Sequence, residues 1–129
     1  MNTELKTKLI IKLIEETNNQ KLAWSAKAIG GGVIKYKCST PDFDVIVCTT
    51  FSTAIPDVLL LKGNLLIQIF SSQDHTPYHN ELRTLVLQLI SAIKLYINNC
   101  CDWNTIVENY LKYKRGIGNE NNWQEIIWL

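Results

Sequence analysis

Residues 33–70 read VIKYKCSTPDFDVIVCTTFSTAIPDVLLLKGNLLIQIF, and this stretch decides the fold. It contains four short runs rich in Val, Ile, Leu and Phe, namely VIKYKC (33–38), FDVIVCTTF (43–51), DVLLL (57–61) and NLLIQIF (64–70). The segments STPD, STAIP and KGN separate these runs, and their Pro, Gly, Asp and Asn residues favour turns. Gly63-Asn64 fits a tight hairpin turn because both residues tolerate a positive φ. The stretch therefore predicts an antiparallel β-meander.

A β-prone segment also precedes this stretch. It begins at Lys21-Leu22-Ala23-Trp24 and reaches the first run through Gly30-Gly31-Gly32, which we expect to form a hairpin connection. Thr40-Pro41-Asp42 predicts a further turn, since proline presets the φ that a turn requires. The sheet is therefore expected to have four or five strands.

Helical periodicity marks the two ends of the chain. Apolar residues recur every three or four positions in residues 3–18, 80–98 and 102–115. Thr3 and Asp102 stand where the first and third of these helices need an N-cap. The third helix is expected to end before Gly116, and the apolar tail, residues 119–129, is compatible with a short fourth helix.

A helix, then strands, then helices is the order typical of the α+β class. We expect an antiparallel meander of four to five strands, with an N-terminal helix and two to three C-terminal helices on one face. No repeat, low-complexity run or long linker divides the 129 residues. One domain usually has roughly 100–200 residues. The sequence therefore predicts a single domain over residues 1–129.

Charge and cysteine content argue against several classes of partner. The net charge of +1 leaves no excess of Lys and Arg for binding phosphates, so a nucleic-acid partner is not expected. Charged residues interrupt the apolar N-terminus, MNTELKTKLIIKLIEE, so it predicts neither a signal peptide nor a membrane span. We therefore expect a cytoplasmic protein with no membrane partner. Its cysteines should be reduced thiols; they are Cys38, Cys48, Cys100 and Cys101.

Both histidines lie in SSQDHTPYHNE, residues 71–81. His75 and His79 are four residues apart, a spacing that suits zinc when both lie on a helix. Pro77 stands between them, and the surrounding Ser, Asp, Thr and Asn residues are typical of a loop. The stretch therefore predicts a polar connection into a helix that Asn80 or a neighbour caps, with neither a metal nor a cofactor.

Two other clusters support alternative functions. Cys100 and Cys101 follow a predicted helix, and either thiol could act with a histidine as the nucleophile of a small cysteine-dependent enzyme. At the end of the third helix, Lys112, Lys114 and Arg115 alternate with aromatic residues, a combination that also binds nucleic acid. The same three cations equally complement the helix dipole. Both alternatives stay open at the level of sequence.

The C-terminus is the most suggestive part of the chain, because its apolar residues lie where most proteins are polar. We expect these residues, with aromatic residues of the third helix, to contact a protein partner or a second copy of the chain. The predicted interface residues are Trp103, Tyr110, Trp123, Ile126, Ile127 and Trp128. The sequence therefore predicts a non-catalytic protein–protein interaction module that self-associates, although the tail could instead fold back on its own core.

The order of these features resembles small uncharacterised bacterial domains of conflict and immunity-type loci. Such domains begin with a helix, continue through a Lys-Leu-x-Trp motif into a β-meander, and close with a long leucine-rich helix. The residues that carry the resemblance are Leu13, Ile14, Thr17, Lys21-Leu22-Ala23-Trp24, Leu85, Leu89, Ile93 and Tyr96. The resemblance covers about residues 5–97. It implies a helix–meander–helix fold and an interaction role, and it brings no catalytic residue.

Overall fold

A computed structural model describes residues 1–50, 53–73 and 80–117. In chain order, these residues form α1 (Thr3–Asn18), β1 (Ser25–Gly30), β2 (Val33–Ser39), β3 (Asp44–Thr50), β4 (Thr53–Lys62), β5 (Leu65–Phe70), α2 (Asn80–Cys100) and α3 (Trp103–Ile117). The predicted α+β class is confirmed. The chain divides into two compact units, residues 1–98 and residues 99–129. The prediction of a single domain stays a prediction.

Within the described residues, the strands form one antiparallel sheet in the order β1-β2-β3-β4-β5. Each strand pairs with its neighbour in the sequence, which confirms the predicted meander. Gly63 has a φ of 58° in the two-residue connection from β4 to β5, as the first central position of a type II′ turn requires. The turn before β3 is closed by the Thr40 hydroxyl, which accepts hydrogen bonds from the amides of Asp42 and Phe43.

Side-chain alternation assigns one face of the sheet to the core. Tyr36, Val47 and Val58 are register partners across the sheet, and all three are buried. Helices α1 and α2 cover this face, since the same cluster contains Ile10 of α1 and Leu89 of α2. Among the described residues, this core cluster contains Ile10, Leu13, Leu22, Trp24, Tyr36, Cys38, Val45, Val47, Val58, Leu60, Ile69, Phe70, Leu82, Val86, Leu89, Ile90 and Ile93.

Strand β4 corrects one prediction. The STAIP segment reads as a turn in the sequence, yet Thr53 to Pro56 belong to β4 and Pro56 is buried. Proline has no amide hydrogen to donate, so it is tolerated only where ladder bonds are interrupted. The register between β3 and β4 shifts between Cys48 and Thr50, which is opposite this part of β4. Pairing of β4 with β5 also ends at Val58, so Pro56 has no ladder partner on either side that would need its amide hydrogen.

The helix ends differ slightly from the predicted ones. Asn2 caps α1 in place of Thr3, because its side chain accepts a hydrogen bond from the Leu5 amide at 2.8 Å. Helix α2 runs two residues past Asn98. Helix α3 continues through Gly116 to Ile117, so the glycine does not end it as predicted. The predicted short fourth helix lies outside the described residues.

A buried hydrogen bond joins α1 to the chain that leads into β1. The Trp24 indole donates from Nε1 to the Thr17 hydroxyl at 2.9 Å, and that hydroxyl donates to the Leu13 carbonyl at 2.6 Å. Thr17 is only 2% exposed and Trp24 only 5%. Because water cannot replace these bonds, the Thr17 hydroxyl fixes where the indole lies against the core.

Replacing Thr17 tests this contact. Thr17→Val keeps the side-chain shape but leaves the buried indole N–H without its acceptor, so we expect unfolding to require about 1–3 kcal/mol less free energy. Thr7→Val is the matched control, because the Thr7 hydroxyl makes the same kind of bond to the Thr3 carbonyl near the surface. Its expected effect is within about 0.5 kcal/mol. Equal losses in urea unfolding of the two variants would contradict a special role for Thr17.

Helix α1 ends in a Schellman motif that has glutamine at the position glycine usually occupies. The Lys21 amide donates to the Glu16 carbonyl at 2.8 Å, and the Gln20 amide donates to the Thr17 carbonyl at 3.1 Å. Gln20 has a φ of 59°, the only positive φ at a non-glycine residue in the described chain. The left-handed conformation brings Cβ of an L residue close to the following carbonyl, so this helix end is strained.

The strain predicts a stabilising substitution. Gln20→Gly removes the Cβ that causes the crowding, and we expect it to raise the free energy of unfolding by about 0.5–1 kcal/mol, net of the greater freedom of glycine in the unfolded chain. Gln20→Ala keeps the Cβ and should leave stability nearly unchanged. Thermal unfolding of both variants checks the prediction, which fails if alanine stabilises as much as glycine.

Candidate interaction surface

The main candidate surface lies on α3. The helix begins where the Asp102 carboxylate accepts hydrogen bonds from the Thr105 amide at 3.2 Å and the Thr105 hydroxyl at 2.6 Å. These bonds from Thr105 lower the pKa of Asp102, so the carboxylate stays charged beside the positive end of the helix dipole. The predicted N-cap is thus confirmed. The cap fixes the start of the helix and, with it, which side chains share a face.

One face of α3 is apolar and exposed. Trp103, Ile106, Val107 and Leu111 recur at helical spacing, with 59%, 47%, 49% and 45% of their surfaces exposed. Tyr110 lies on the same face and is partly buried. Burying one such aliphatic or aromatic side chain typically stabilises a protein by about 1.5–3 kcal/mol. The side chains of this face do not gain that stabilisation while they stay exposed. We call Trp103, Ile106, Val107 and Leu111 the α3 stripe.

Charge is distributed unevenly along α3. Asp102 and Glu108 lie at its beginning and middle, whereas Lys112, Lys114 and Arg115 lie in its last part. Cations in this position are favourable at the negative end of a helix dipole. Nucleic-acid binding through these three cations stays an untested alternative.

Of the six predicted interface residues, the structure describes two. Trp103 belongs to the α3 stripe and Tyr110 lies beside it. The other four, Trp123, Ile126, Ile127 and Trp128, are outside the described residues. The structure therefore describes only the part of the predicted interface that lies on α3.

A second exposed apolar surface, which the sequence reasoning missed, lies on β5. Leu65, Leu66 and Ile67 are 71%, 59% and 51% exposed. In the described part of the chain, no strand pairs with the outer side of β5. A signal for this surface exists in the sequence, because the last strand of a meander is necessarily an edge and LLIQIF is apolar at both odd and even positions. Local sequence alone does not identify this surface, because its exposure depends on whether a later segment forms a strand beside β5.

Cys38 is buried and Cys48 is partly buried, and the pKa of each thiol is raised. Burial raises the pKa of the Cys38 thiol to about 12, and the Asp44 carboxylate acts in the same direction. Burial also raises the pKa of Cys48, helped by Asp57 and opposed by Lys35. Since the thiolate is the reactive form, neither thiol is activated.

The two cysteines of the predicted alternative enzyme lie at the surface. Cys100 is exposed and Cys101 is partly exposed. His75 and His79, the candidate partners of these thiols, lie outside the described residues. The cysteine-dependent enzyme therefore stays untested.

Other candidate sites give little support for chemistry. Within residues 1–50, 53–73 and 80–117, no three His, Cys, Asp or Glu side chains come together to hold a metal ion. Helices α1 and α2 border a shallow groove of about 540 Å³, lined by Ile14 and Asn18 on one side and by Leu87, Ser91 and Leu95 on the other. Among the described residues that line this groove, none is an acid, a base or a thiol.

Ionisation of Cys38 predicts how stability depends on pH. The folded-state pKa of about 12 exceeds the ordinary value of 9.0. The thiol therefore stabilises the fold fully below pH 9, and this contribution is lost as pH rises towards 12, because only the unfolded chain then releases the proton.

In that pH range the free energy of unfolding of the wild type should fall by up to about 1.4 kcal/mol per pH unit more than that of Cys38→Val. The valine variant has no proton to release at this position. Cys100→Val, at an exposed cysteine, should keep the slope of the wild type. Urea unfolding across the range measures both slopes, and equal slopes for wild type and Cys38→Val would contradict the role of this thiol.

No single helix in the described chain is long and apolar enough to cross a membrane; α2 and the first part of α3 meet the requirement only as a broken pair, by length and composition. Comparisons with protein-family models, with curated proteins and with solved structures gave no match for this chain. The resemblance to bacterial helix–meander–helix domains therefore stays a prediction, and the surfaces themselves must carry the argument for function.

Proposed function

We propose that this protein is a protein–protein interaction module that self-associates through the α3 stripe. The observation that supports this proposal is a well-capped helix whose Trp103, Ile106, Val107 and Leu111 side chains are about half exposed. A helix of this length is marginal in water without a packed apolar face. Covering the stripe with a second apolar surface would therefore stabilise both the contact and the helix.

The distribution of charge favours a second copy of α3 as the partner, in antiparallel orientation. A two-fold axis across the helices brings the end that carries Asp102 beside the last turn of the other copy, which carries Lys114 and Arg115. Opposite charges then face each other at both ends of the contact, and the two helix dipoles oppose. A parallel arrangement places like charges together, which disfavours it.

The chemistry of the stripe suits such a contact. Tryptophan supplies a large buried area with few rotatable bonds, and the branched Ile106 and Val107 pack beside it with little loss of side-chain freedom. One helix pair buries less than the roughly 1,600 Å² of a standard interface. The association should therefore depend on protein concentration.

A charge placed in the stripe tests the proposal. Ile106→Glu puts a carboxylate where the contact must exclude water, so the weight-average mass at a given concentration should fall relative to the wild type. Asn109→Glu is the matched control, since it adds the same charge on the polar side of the same helix. Glutamate favours helix in both variants, so a lost helix is not the cause.

Sedimentation velocity over a series of concentrations measures the masses. The proposal requires Asn109→Glu to match the wild type and Ile106→Glu to be smaller. If all three proteins have the same mass distribution at every concentration, α3 is not a self-association surface.

A further inference from the structure

Strand β5 has the composition of an interior strand but occupies an edge of the sheet. Leu65, Leu66 and Ile67 are exposed, and no charged residue occurs between Leu65 and Phe70. A strand that is apolar on both faces is typical of a sheet whose two faces are covered, so exposed apolar side chains on both faces of β5 are unusual. An edge of this kind usually carries lysine, proline or a bulge, which prevent pairing with another chain.

The opposite edge of the sheet has that protection. Strand β1 contains Lys27, and its register with β2 shifts between Ala28 and Gly30. Between β4 and β5 the ladder is regular from Lys62↔Leu65 to Leu59↔Gln68, and its register shifts only beyond Gln68, before Val58↔Phe70. Of the two edges described, β5 therefore presents a regular apolar segment from Leu65 to Gln68, without a charged residue.

The hairpin turn determines which backbone groups of β5 point outwards. The two-residue turn at Gly63-Asn64 is closed by the pair Lys62↔Leu65, which is therefore a hydrogen-bonded pair. Pairs alternate along an antiparallel ladder, so Ile67 also bonds inwards to β4. The N–H and C=O groups of Leu66 and Gln68 consequently face away from β4, towards the open side.

We propose that β5 pairs in antiparallel fashion with β5 of a second copy, with Ile67 on the two-fold axis. In this register Leu66 of each copy lies opposite Gln68 of the other, and their outward backbone groups form complementary hydrogen bonds. Ile67 then lies opposite Ile67, so a side chain that is exposed at the edge gains an apolar neighbour.

The lack of charged residues in β5 favours another uncharged strand, β5 of a second copy, as the occupant, and the position of Lys62 favours antiparallel pairing. The nearest charged residue in the hairpin is Lys62, next to the turn. Antiparallel pairing places the two copies of Lys62 at opposite ends of the joined strands, whereas parallel pairing brings them together. The contact extends the proposed self-association to a second surface, and either contact can form without the other.

A proline at Gln68 tests the contact with little effect on the hairpin. The Gln68 amide points away from β4, so Gln68→Pro removes a donor from the dimer contact and none from the β4–β5 ladder. Gln68→Thr is the matched control, because threonine keeps the amide and favours strands. Ile67→Lys is the second variant; it keeps every backbone donor and places like charges opposite each other at the two-fold axis.

All three changes are measured by sedimentation velocity in the Ile106→Glu background, which removes the α3 contact. We expect dimers for Ile106→Glu alone and with Gln68→Thr, and monomers with Gln68→Pro or Ile67→Lys, each with an unchanged circular dichroism spectrum. Monomers of Ile106→Glu alone, or equal masses for the proline and threonine variants, overturn the β5 contact. If Ile106→Glu keeps the wild-type mass while Ile67→Lys lowers it, the α3 proposal fails and the β5 contact stands.

Amide hydrogen exchange gives a readout at the contact itself. The Leu66 and Gln68 amides should be protected at high protein concentration in the Ile106→Glu variant, and should lose that protection when Ile67→Lys is added. The Ile67 amide bonds inwards to β4 and should stay protected in both proteins. Fast exchange of Leu66 and Gln68 in both proteins overturns the proposal.

Discussion

The structure of residues 1–98 depends on one constraint, the alternation of side chains in a sheet whose strands pair in chain order. This alternation places Tyr36, Val47 and Val58 on the same face, and α1 and α2 cover that face. The Thr17–Trp24 hydrogen bond then fixes the chain that links α1 to the sheet. Because the last strand of a meander has no successor, the same constraint exposes the outer side of β5.

Most of the fold could be predicted because its signals are local. Helical periodicity identified α1 as residues 3–18, and the glycines at the β1–β2 and β4–β5 connections marked real turns. One error occurred where tertiary context overrides local preference. Pro56 is accepted in β4 at a point where it has no ladder partner on β3 or β5. Gly116 lies within α3, for which the described residues give no tertiary reason. Neither circumstance can be read from neighbouring residues.

The candidate surfaces were predictable to different degrees. The spacing of Trp103, Ile106 and Val107 already predicts an amphipathic helix, and the structure adds that these side chains are exposed. The β5 surface depends on which strand lies at the edge, and that is a property of the whole sheet. Periodicity therefore identifies a candidate face, whereas topology decides which apolar residues are left without neighbours.

The chain-order pairing of the strands also has a consequence for how the protein folds. Each hairpin closes a short loop, so the meander can form by successive local steps, and only the packing of α1 near α2 joins the two ends of the unit. Contacts between α1 and α2 span the whole meander in sequence, so they carry the largest loop-closure cost in this unit. We expect the hairpins of the meander to form before α1 and α2 close over it.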